Sequence, residues 1–321
     1  MTDRRRFLKT TLGGFAGLAA APLLGSLAGC AQTPSAGGAA SAGSGSAKSL
    51  PSTKLTERVG LITGAPGNVV VLNGADGVVL VDSGSAELAP AVRRALGRER
   101  VRTLINTHYH ADQTGGNALF GKAGAEIRAH TITRQWLAAD YWVPAEDRWV
   151  KAPPKEAVPT VTFRTHDAFT VGDEHVECGY LLEAHTRGDA WIFFRDSNVL
   201  VAGDVASPER DPVLDWFAGG WLGGRVDAMD DLLELVDDET RIVPAYGPVM
   251  TRAQLQAERD LVAKLYELTA DATHKGRSAD DMMKDGLLDQ VGRKFQDPYK
   301  FLYDVAKGLQ AHYTNFGGNV V

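Results

Sequence analysis

The segment from Val101 to Asn117 constrains the fold of this chain more than any other. Val101, Leu104 and Ile105 form an apolar run that ends at Asn106, and Thr107-His108-Tyr109-His110-Ala111-Asp112-Gln113-Thr114-Gly115-Gly116 follows at once. The apolar run reads as a buried strand. Gly115-Gly116-Asn117 reads as a turn. Two imidazoles and a carboxylate at alternate positions can aim three ligating groups at one point. A lone histidine is more often an ordinary core or surface residue. A His-x-His-x-Asp cluster at the end of a strand predicts a metal site instead, because sheets of α/β proteins hold their ligands at strand ends.

The flanking sequence supplies strands and helices in two halves, an α/β pattern. Asn68–Leu72 and Val78–Asp82 are short apolar strands, joined through Asn73-Gly74-Ala75-Asp76-Gly77 as a hairpin. Leu88, Val92 and Leu96 have helical spacing, closed by Gly97. Strands are expected at 126–130, 161–163, 168–171 and 176–182, and a second hairpin at 190–194 and 198–202 around Arg195-Asp196-Ser197. Val226, Met229, Leu233 and Val236 mark a helix face, and Ile242-Val243 a last strand. Thr251 with Gln254 is a capping box, Ser278 with Asp281 another candidate, and Asp297-Pro298 an N-cap followed by proline at the first helical position. Helices are therefore expected toward the C-terminus. No internal repeat of fixed period is apparent.

Residues 134–159 differ in kind. Trp136, Tyr141, Trp142 and Trp149 crowd among Pro144, Pro153, Pro154 and Pro159. These rings either pack as a cap on the core or form an aromatic wall beside the histidine loop, with Trp216-Phe217-Ala218-Gly219-Gly220-Trp221 as the opposite side.

The N-terminus reads as an address rather than as structure. Arg4-Arg5-Arg6-Phe7-Leu8-Lys9 precedes an apolar, glycine-rich run from Leu12 to Ala28. The arginines resemble a twin-arginine export signal, and Leu27-Ala28-Gly29-Cys30 resembles a lipobox with Cys30 as the lipidated residue. Ala31–Leu50 is rich in Ala, Ser and Gly, a flexible tether. The expected organisation is a signal over 1–30, a linker over 31–55, a catalytic domain over 56–270 and a helical extension over 271–321. The expected location is the periplasm or cell envelope, on a membrane through the lipid.

Hydrophobic content of 44% and charged content of 23% suit a soluble globular body. The net charge is −6, and residues 1–29 carry a surplus of positive charge, so the remainder is more acidic still. That argues against nucleic acid as a partner and leaves a small molecule. Cys30 and Cys178 offer neither a disulfide framework nor a cysteine-rich zinc site.

Three further segments repeat the pattern of polar residues after a strand: Ala184-His185-Thr186-Arg187-Gly188-Asp189, Val201-Ala202-Gly203-Asp204, and Pro244-Ala245-Tyr246-Gly247-Pro248-Val249. With the histidine loop, and in this order, they resemble the site loops of the metallo-β-lactamase superfamily over about residues 58–265. The resemblance implies a four-layer αββα sandwich with its site at one edge. It implies His108, His110 and His185 as ligands of a first metal, a set that leaves catalytic zinc an open position. Asp204 matches the carboxylate shared between two metals, Asp112 the second-site aspartate, and Asp82 an early aspartate with a supporting role. Two positions depart from the pattern, which has histidine where Gln113 and Tyr246 stand. An amide is a weak zinc ligand, and a phenol must lose a proton of pKa about 10 to bind. One tightly held zinc is expected, with at most a weak second ion through Asp112, Gln113, Asp204 and Tyr246.

The expected activity is hydrolysis of an ester, lactone, lactam or thioester. Asp112 would orient and deprotonate the water, and Tyr246 would donate to the developing oxyanion. Two alternatives stay open. His108, His185 and Asp204 match the two-histidine, one-carboxylate iron site of persulfide dioxygenases in the same superfamily. Gln113 and Tyr246 also fit a ligand-binding lipoprotein that has lost catalysis. His130, His166, His175, His274 and His312 match no ligand position and are expected to be structural or surface residues. Cys178 is expected to be a small core residue.

Overall fold

Apolar residues on both faces of the strands dictate the layering. The computed structural model describes residues 50–143 and 147–315, so the signal, Cys30 and most of the linker lie outside the described residues. One sheet has the spatial order β1 (Ser52–Lys54), β2 (Val59–Ile62), β3 (Val69–Gly74), β4 (Gly77–Val81), β5 (Val101–Asn106), β6 (Glu126–His130), and then β9 (Val161–Phe163). Between β6 and β9 the chain makes a small hairpin, β7 (Tyr141–Val143) with β8 (Arg148–Val150). The second sheet runs β10 (His166–Val171), β11 (Glu174–Leu181), β12 (Asp189–Phe194), β13 (Val199–Gly203), β14 (Arg241–Pro244). Strands β1–β4 are antiparallel neighbours, whereas β4, β5, β6 and β9 are parallel, as are β13 and β14.

Alternate side chains point to opposite faces of a strand. Val70 and Leu72 of β3 therefore join Val79, Val81, Ile105, Val176, Ile192, Phe194 and Val201 in a core between the two sheets. Val69 and Val71 face the other way, into a core with Leu80, Leu104, Val92 of α1 (Ala89–Ala95) and Phe120. Strands buried on both faces read as unbroken apolar runs, which is why the segments around 69–72, 78–81 and 190–194 lack a polar stripe.

Two short helices, α2 (Ala111–Thr114) and α3 (Asn117–Lys122), flank the turn made by Gly115-Gly116. Gly115 and Gly116 serve close approach there. A Cβ on Gly115 would stand 2.3 Å from the backbone nitrogen of Ala86, and one on Gly116 2.6 Å from the carbonyl oxygen of Ser83. Helix α4 (Thr131–Leu137) was not evident in the sequence; its N-terminus is capped by His130, whose Nδ1 accepts from Ile132 N at 3.4 Å.

The outer face of the second sheet carries Leu181, Trp191, Phe193 and Leu200. They are covered by α5 (Leu222–Leu235), α6 (Arg252–His274), α7 (Ala279–Lys284) and α8 (Pro298–Asn315). Both capping boxes, Thr251 with Gln254 and Ser278 with Asp281, are formed. Met282, Leu287, Phe301, Leu302, Val305 and Leu309 are buried in that same core, so residues 271–315 pack as part of the helical layer. The result is helices, sheet, sheet, helices. Among the described residues no helix is long and apolar enough to cross a membrane.

The strand ends bring the site together. Parallel β4 and β5 deliver Asp82 and Thr107 to one rim, and Asp82 Oδ1 accepts from Thr107 N at 2.9 Å. Ala190 N donates to Thr107 O at 2.8 Å, Ala245 N to Gly203 O at 2.7 Å, and Asn68 N to Ala245 O at 2.8 Å, which ties the rims of the two sheets to each other.

Candidate metal centre

Three imidazoles meet at that rim. His108 and His110 come from the loop after β5 and His185 from the loop after β11, and one ligating nitrogen from each lies within 4.8 Å of the others. Ring centroids are 4.7–4.9 Å apart and the planes are nearly perpendicular, at 82–89°.

Each ring is held through the nitrogen that faces away. His108 Nδ1 lies 3.0 Å from Thr107 Oγ1, which donates to Asp82 Oδ2 at 2.8 Å; the imidazole is therefore the donor to Thr107. His110 Nε2 is 2.9 Å from Asp215 Oδ2. His185 Nδ1 is 2.8 Å from the Val213 carbonyl. A carbonyl, a carboxylate or a hydroxyl already donating elsewhere can only accept, so in the neutral rings His108 Nε2, His110 Nδ1 and His185 Nε2 carry the inward lone pairs. Carboxylate or carbonyl support of this kind is how proteins orient ligating histidines.

The inward atoms test whether a metal fits. His110 Nδ1 and His185 Nε2 face each other at 3.0 Å, and His108 Nε2 is buried with no hydrogen-bond partner. Two lone pairs so close need positive charge between them. A proton could serve His110 and His185, whereas a metal ion would serve all three nitrogens at once. The set fits a borderline-soft divalent ion with an open coordination position.

Burial shapes the electrostatics. It holds the imidazole of His108 down at about 4, with neighbouring His110 acting in the same sense, and it holds His185 well below the ordinary range. Burial opposes protonation of His110 as well, but the hydrogen bond to Asp215 outweighs it and raises that ring. Burial would raise Asp215, yet the bonds from His110 and Tyr109 carry it down to about 2. Burial pushes Asp82 up to about 7 against the bonds from Thr107.

Among the residues of the expected second site, Tyr246 bonds Asp112 and Asp204 pairs with Arg210. The Tyr246 hydroxyl donates to Asp112 Oδ2. Arg210 Nη2 donates to Asp204 Oδ2, and the Arg210 guanidinium lies over the Tyr246 ring, 3.5 Å from its centroid. Asp204 Oδ2 remains 3.6 Å from His185 Nε2. Gln113 is fully buried beside Gly67, with neither amide atom hydrogen-bonded. Burial and the Asp112 carboxylate hold the Tyr246 proton more tightly than in an ordinary phenol, which opposes a tyrosinate ligand. Asp112 and Asp204 are thus paired with Tyr246 and Arg210, while Asp204 Oδ1 and Arg210 Nε are buried with no hydrogen-bond partner.

Several supporting residues match no motif position. Asp215 accepts from the Tyr109 hydroxyl as well as from His110, and its Oδ1 from Ala218 N at 3.1 Å. Asp189 accepts from His185 N at 2.6 Å and from Thr186 N at 2.8 Å, fixing the third histidine's loop. Arg225, fully buried, donates to Val213 O at 3.1 Å and to Ser207 Oγ at 2.6 Å. Gly220 leaves room for the same loop, since a Cβ there would sit 2.0 Å from the His185 carbonyl oxygen. A carboxylate flanked by Leu214 and Trp216 carries no local signal; only its position against His110 gives it a role.

A cleft of about 390 Å³ opens onto the centre, lined by Tyr109, His110, Asp112, Tyr141, Trp216 and, from α8, Lys300. Tyr109 stacks on Trp136 at 4.9 Å, Tyr141 meets both edge-on, and Trp136 meets Phe217 at 5.8 Å. These rings form a wall between the cleft and a larger groove of about 650 Å³ that Arg187 and Gly219 also line. The larger groove does not reach the histidines. Of the remaining histidines, His130 stacks on Tyr180 at 4.0 Å, and His312 on Trp221 at 3.6 Å. Cys178 is buried between the sheets.

Residues 62–247 match the family model described as the metallo-beta-lactamase superfamily. The chain is 25% identical over 203 residues to metallo-beta-lactamase type 2 of Bacillus cereus, covering 61% of this chain and 73% of that protein. It is 25% identical over 266 residues to the alpha subunit of 2,4-dinitroanisole O-demethylase of Nocardioides sp. (strain JS1661), covering 80% and 71%. Among solved structures, a metallo-beta-lactamase from Pontibacter korlensis superposes with a TM-score of 0.55 at 19% identity, over 67% of this chain and 99% of that one. The sec-alkylsulfatase Pisa1 from Pseudomonas sp. superposes with a TM-score of 0.59 at 18% identity, over 84% and 50%.

Proposed function

The chain belongs to the metallo-beta-lactamase superfamily, and on that premise we propose that it is a zinc-dependent hydrolase with a single-metal centre. Its substrate is an ester, lactone, lactam or thioester carrying an aromatic or apolar group. The observation that carries this reading is the convergence of three inward imidazole nitrogens, each ring tied from behind, on a point that His108 Nε2 reaches with no other partner. His108, His110 and His185 would hold the ion. A zinc ion there would supply Lewis acidity and an activated water near neutral pH.

The chain's own groups supply the remainder. Asp112 lines the cleft beside His110, and the Tyr246 hydroxyl steadies its Oδ2. That carboxylate would orient the attacking water and accept its proton. Tyr246 spends its hydrogen on Asp112 rather than on the cleft, so it acts as a positioning residue until substrate draws it away. Tyr109, Tyr141, Trp216 and Phe217 present aromatic surface to the substrate, and Lys300, ion-paired with Asp304, lies at the rim. The named substrate of the Nocardioides relative is an aromatic ether, which suits such a wall and adds an activated aryl ether to the compounds worth assaying.

The iron-dependent reading requires Asp204 as a ligand beside His108 and His185. Arg210 holds that carboxylate, which weighs against it. The test is metal analysis of protein purified without chelator, with hydrolysis of a panel of aryl esters, lactones, β-lactams, thioesters and an activated aryl ether. About one zinc per chain, and turnover that His108→Ala abolishes, are expected. Iron with oxygen uptake on a persulfide would overturn the hydrolase reading. Equal inertness of both proteins, with a ligand still bound, would favour a binding protein.

The same proposal extends to location. Export through the twin-arginine motif and lipidation at Cys30 would tether the enzyme in the cell envelope, and the Ala31–Leu50 linker supports this by its composition. Labelled palmitate should enter the wild-type chain and not Cys30→Ser; incorporation into both, or into neither, would refute the anchor.

A further inference from the structure

We propose that Arg210 is the resident second cation of this centre, a guanidinium standing where the family pattern has a second metal ion. The inference rests on the metal-centre reading above and concerns a residue that no motif marks. Asp204 and Asp112 match the carboxylates that serve a second ion, and Tyr246 stands where that ion's histidine would be. The three are linked in a chain through Arg210 and Tyr246. Arg210 Nη2 donates to Asp204 Oδ2, the guanidinium covers the Tyr246 ring at 3.5 Å, and the Tyr246 hydroxyl donates to Asp112.

The physical need is plain. The side chain of Asp204 is 3% exposed, and a carboxylate so far from water requires a partner charge. In a two-metal centre the second ion would meet that need. Arginine supplies that charge permanently through Asp204 Oδ2, since its guanidinium does not deprotonate in proteins and lies readily over an aromatic ring, while Asp204 Oδ1 stays buried without a hydrogen-bond partner. A metal ion entering this position would confront a fixed positive charge and would have to displace it from Asp204.

The loop that carries Arg210 is anchored for the purpose. Arg293, from beyond α7, donates to the carbonyl oxygens of Ser207 and Arg210 and is itself paired with Glu258 at 3.1 Å. The C-terminal segment thus ties down the backbone from which Arg210 reaches Tyr246. In consequence the centre takes one ion however much metal is supplied.

Metal stoichiometry tests this without reference to any substrate. The full chain is stripped with chelator and titrated with Co(II), following the visible absorption, and bound metal is counted after equilibrium dialysis. The wild type should saturate in a single step at about one ion per chain. Arg210→Met, with an unchanged circular dichroism spectrum, should take up further metal and approach two. Arg210→Lys, which keeps the charge, should stay near one. A second step in the wild type, or a folded Arg210→Met that also stops at one, would overturn the proposal and leave the metal-centre reading intact. A wild type that binds no metal would overturn that reading itself. Should Arg210→Met fail to fold, the number of steps in the wild-type titration decides.

Discussion

Replacing Asp215 by asparagine changes no volume and should cost most of the centre's grip on its metal. In the native protein Oδ2 accepts from both His110 Nε2, at 2.9 Å, and the Tyr109 hydroxyl, while Oδ1 accepts from Ala218 N at 3.1 Å. Asparagine has one oxygen, and the Ala218 N–H needs it. The amide nitrogen must then face His110 Nε2, where it can only donate. That drives the ring proton to Nδ1, the very nitrogen that faces His185. Losing a carboxylate of this kind typically lowers metal affinity about 10–100-fold, or roughly 1.4–2.7 kcal/mol. The metal-free fold loses the bonds that hold Asp215 down at about 2 but keeps the Ala218 contact, so its stability should fall by less than the metal affinity does. The assay is competition against a chromophoric chelator near pH 7.5, with the urea midpoint of the stripped protein as control. A dissociation constant within twofold of wild type would refute the tautomer argument, and so would an equal fall in folding stability.

Other consequences follow from the same geometry. Gly220→Ala puts a Cβ 2.0 Å from the His185 carbonyl oxygen and 3.1 Å from Asp215 N; overpacking of this sort costs about 1–3 kcal/mol. The urea midpoint and the metal affinity should therefore fall together, and a change in neither would show that the loop yields freely. His130 is pushed below the usual 6.5, chiefly by burial. The unfolded chain then binds the proton more readily, so the neutral ring contributes stability that is fully present above about pH 6.5 and is lost as pH falls below it. Unfolding curves from pH 7 to 5 should show a smaller loss for His130→Asn than for the wild type, and parallel curves would contradict this. Burial pushes the Cys178 thiol up, so it should resist thiol reagents in the folded protein and react only on unfolding. Rapid labelling of native protein at Cys178 would show that the inter-sheet core opens.

The sandwich was legible because strands buried on both faces leave long apolar runs, and because Thr251 with Gln254 and Ser278 with Asp281 announce their helices locally. Helices α2, α3 and α4 were not legible. They are too short for a period to emerge, and the turn that Gly115-Gly116 announce gives no sign of the helices on either side of it. The aromatic segment around Trp136 declared its composition but not its place. Stacking on Tyr109 puts it beside the metal loop.

By itself the sequence determined the kinds of group available: His108 and His110 adjacent in one loop, a third imidazole at His185, and Gln113 and Tyr246 where ligating histidines are missing. Residue type is a local property, written at each position. Only the tertiary structure decided which nitrogen of each ring faces inward, that Asp215 and Val213 fix two of those choices, and that Arg210 reaches Asp204 and covers Tyr246. Those outcomes depend on partners from separate elements of the chain. Hydrogen bonds and charge pairs act over a few ångströms in space, whatever the number of residues between the groups that make them.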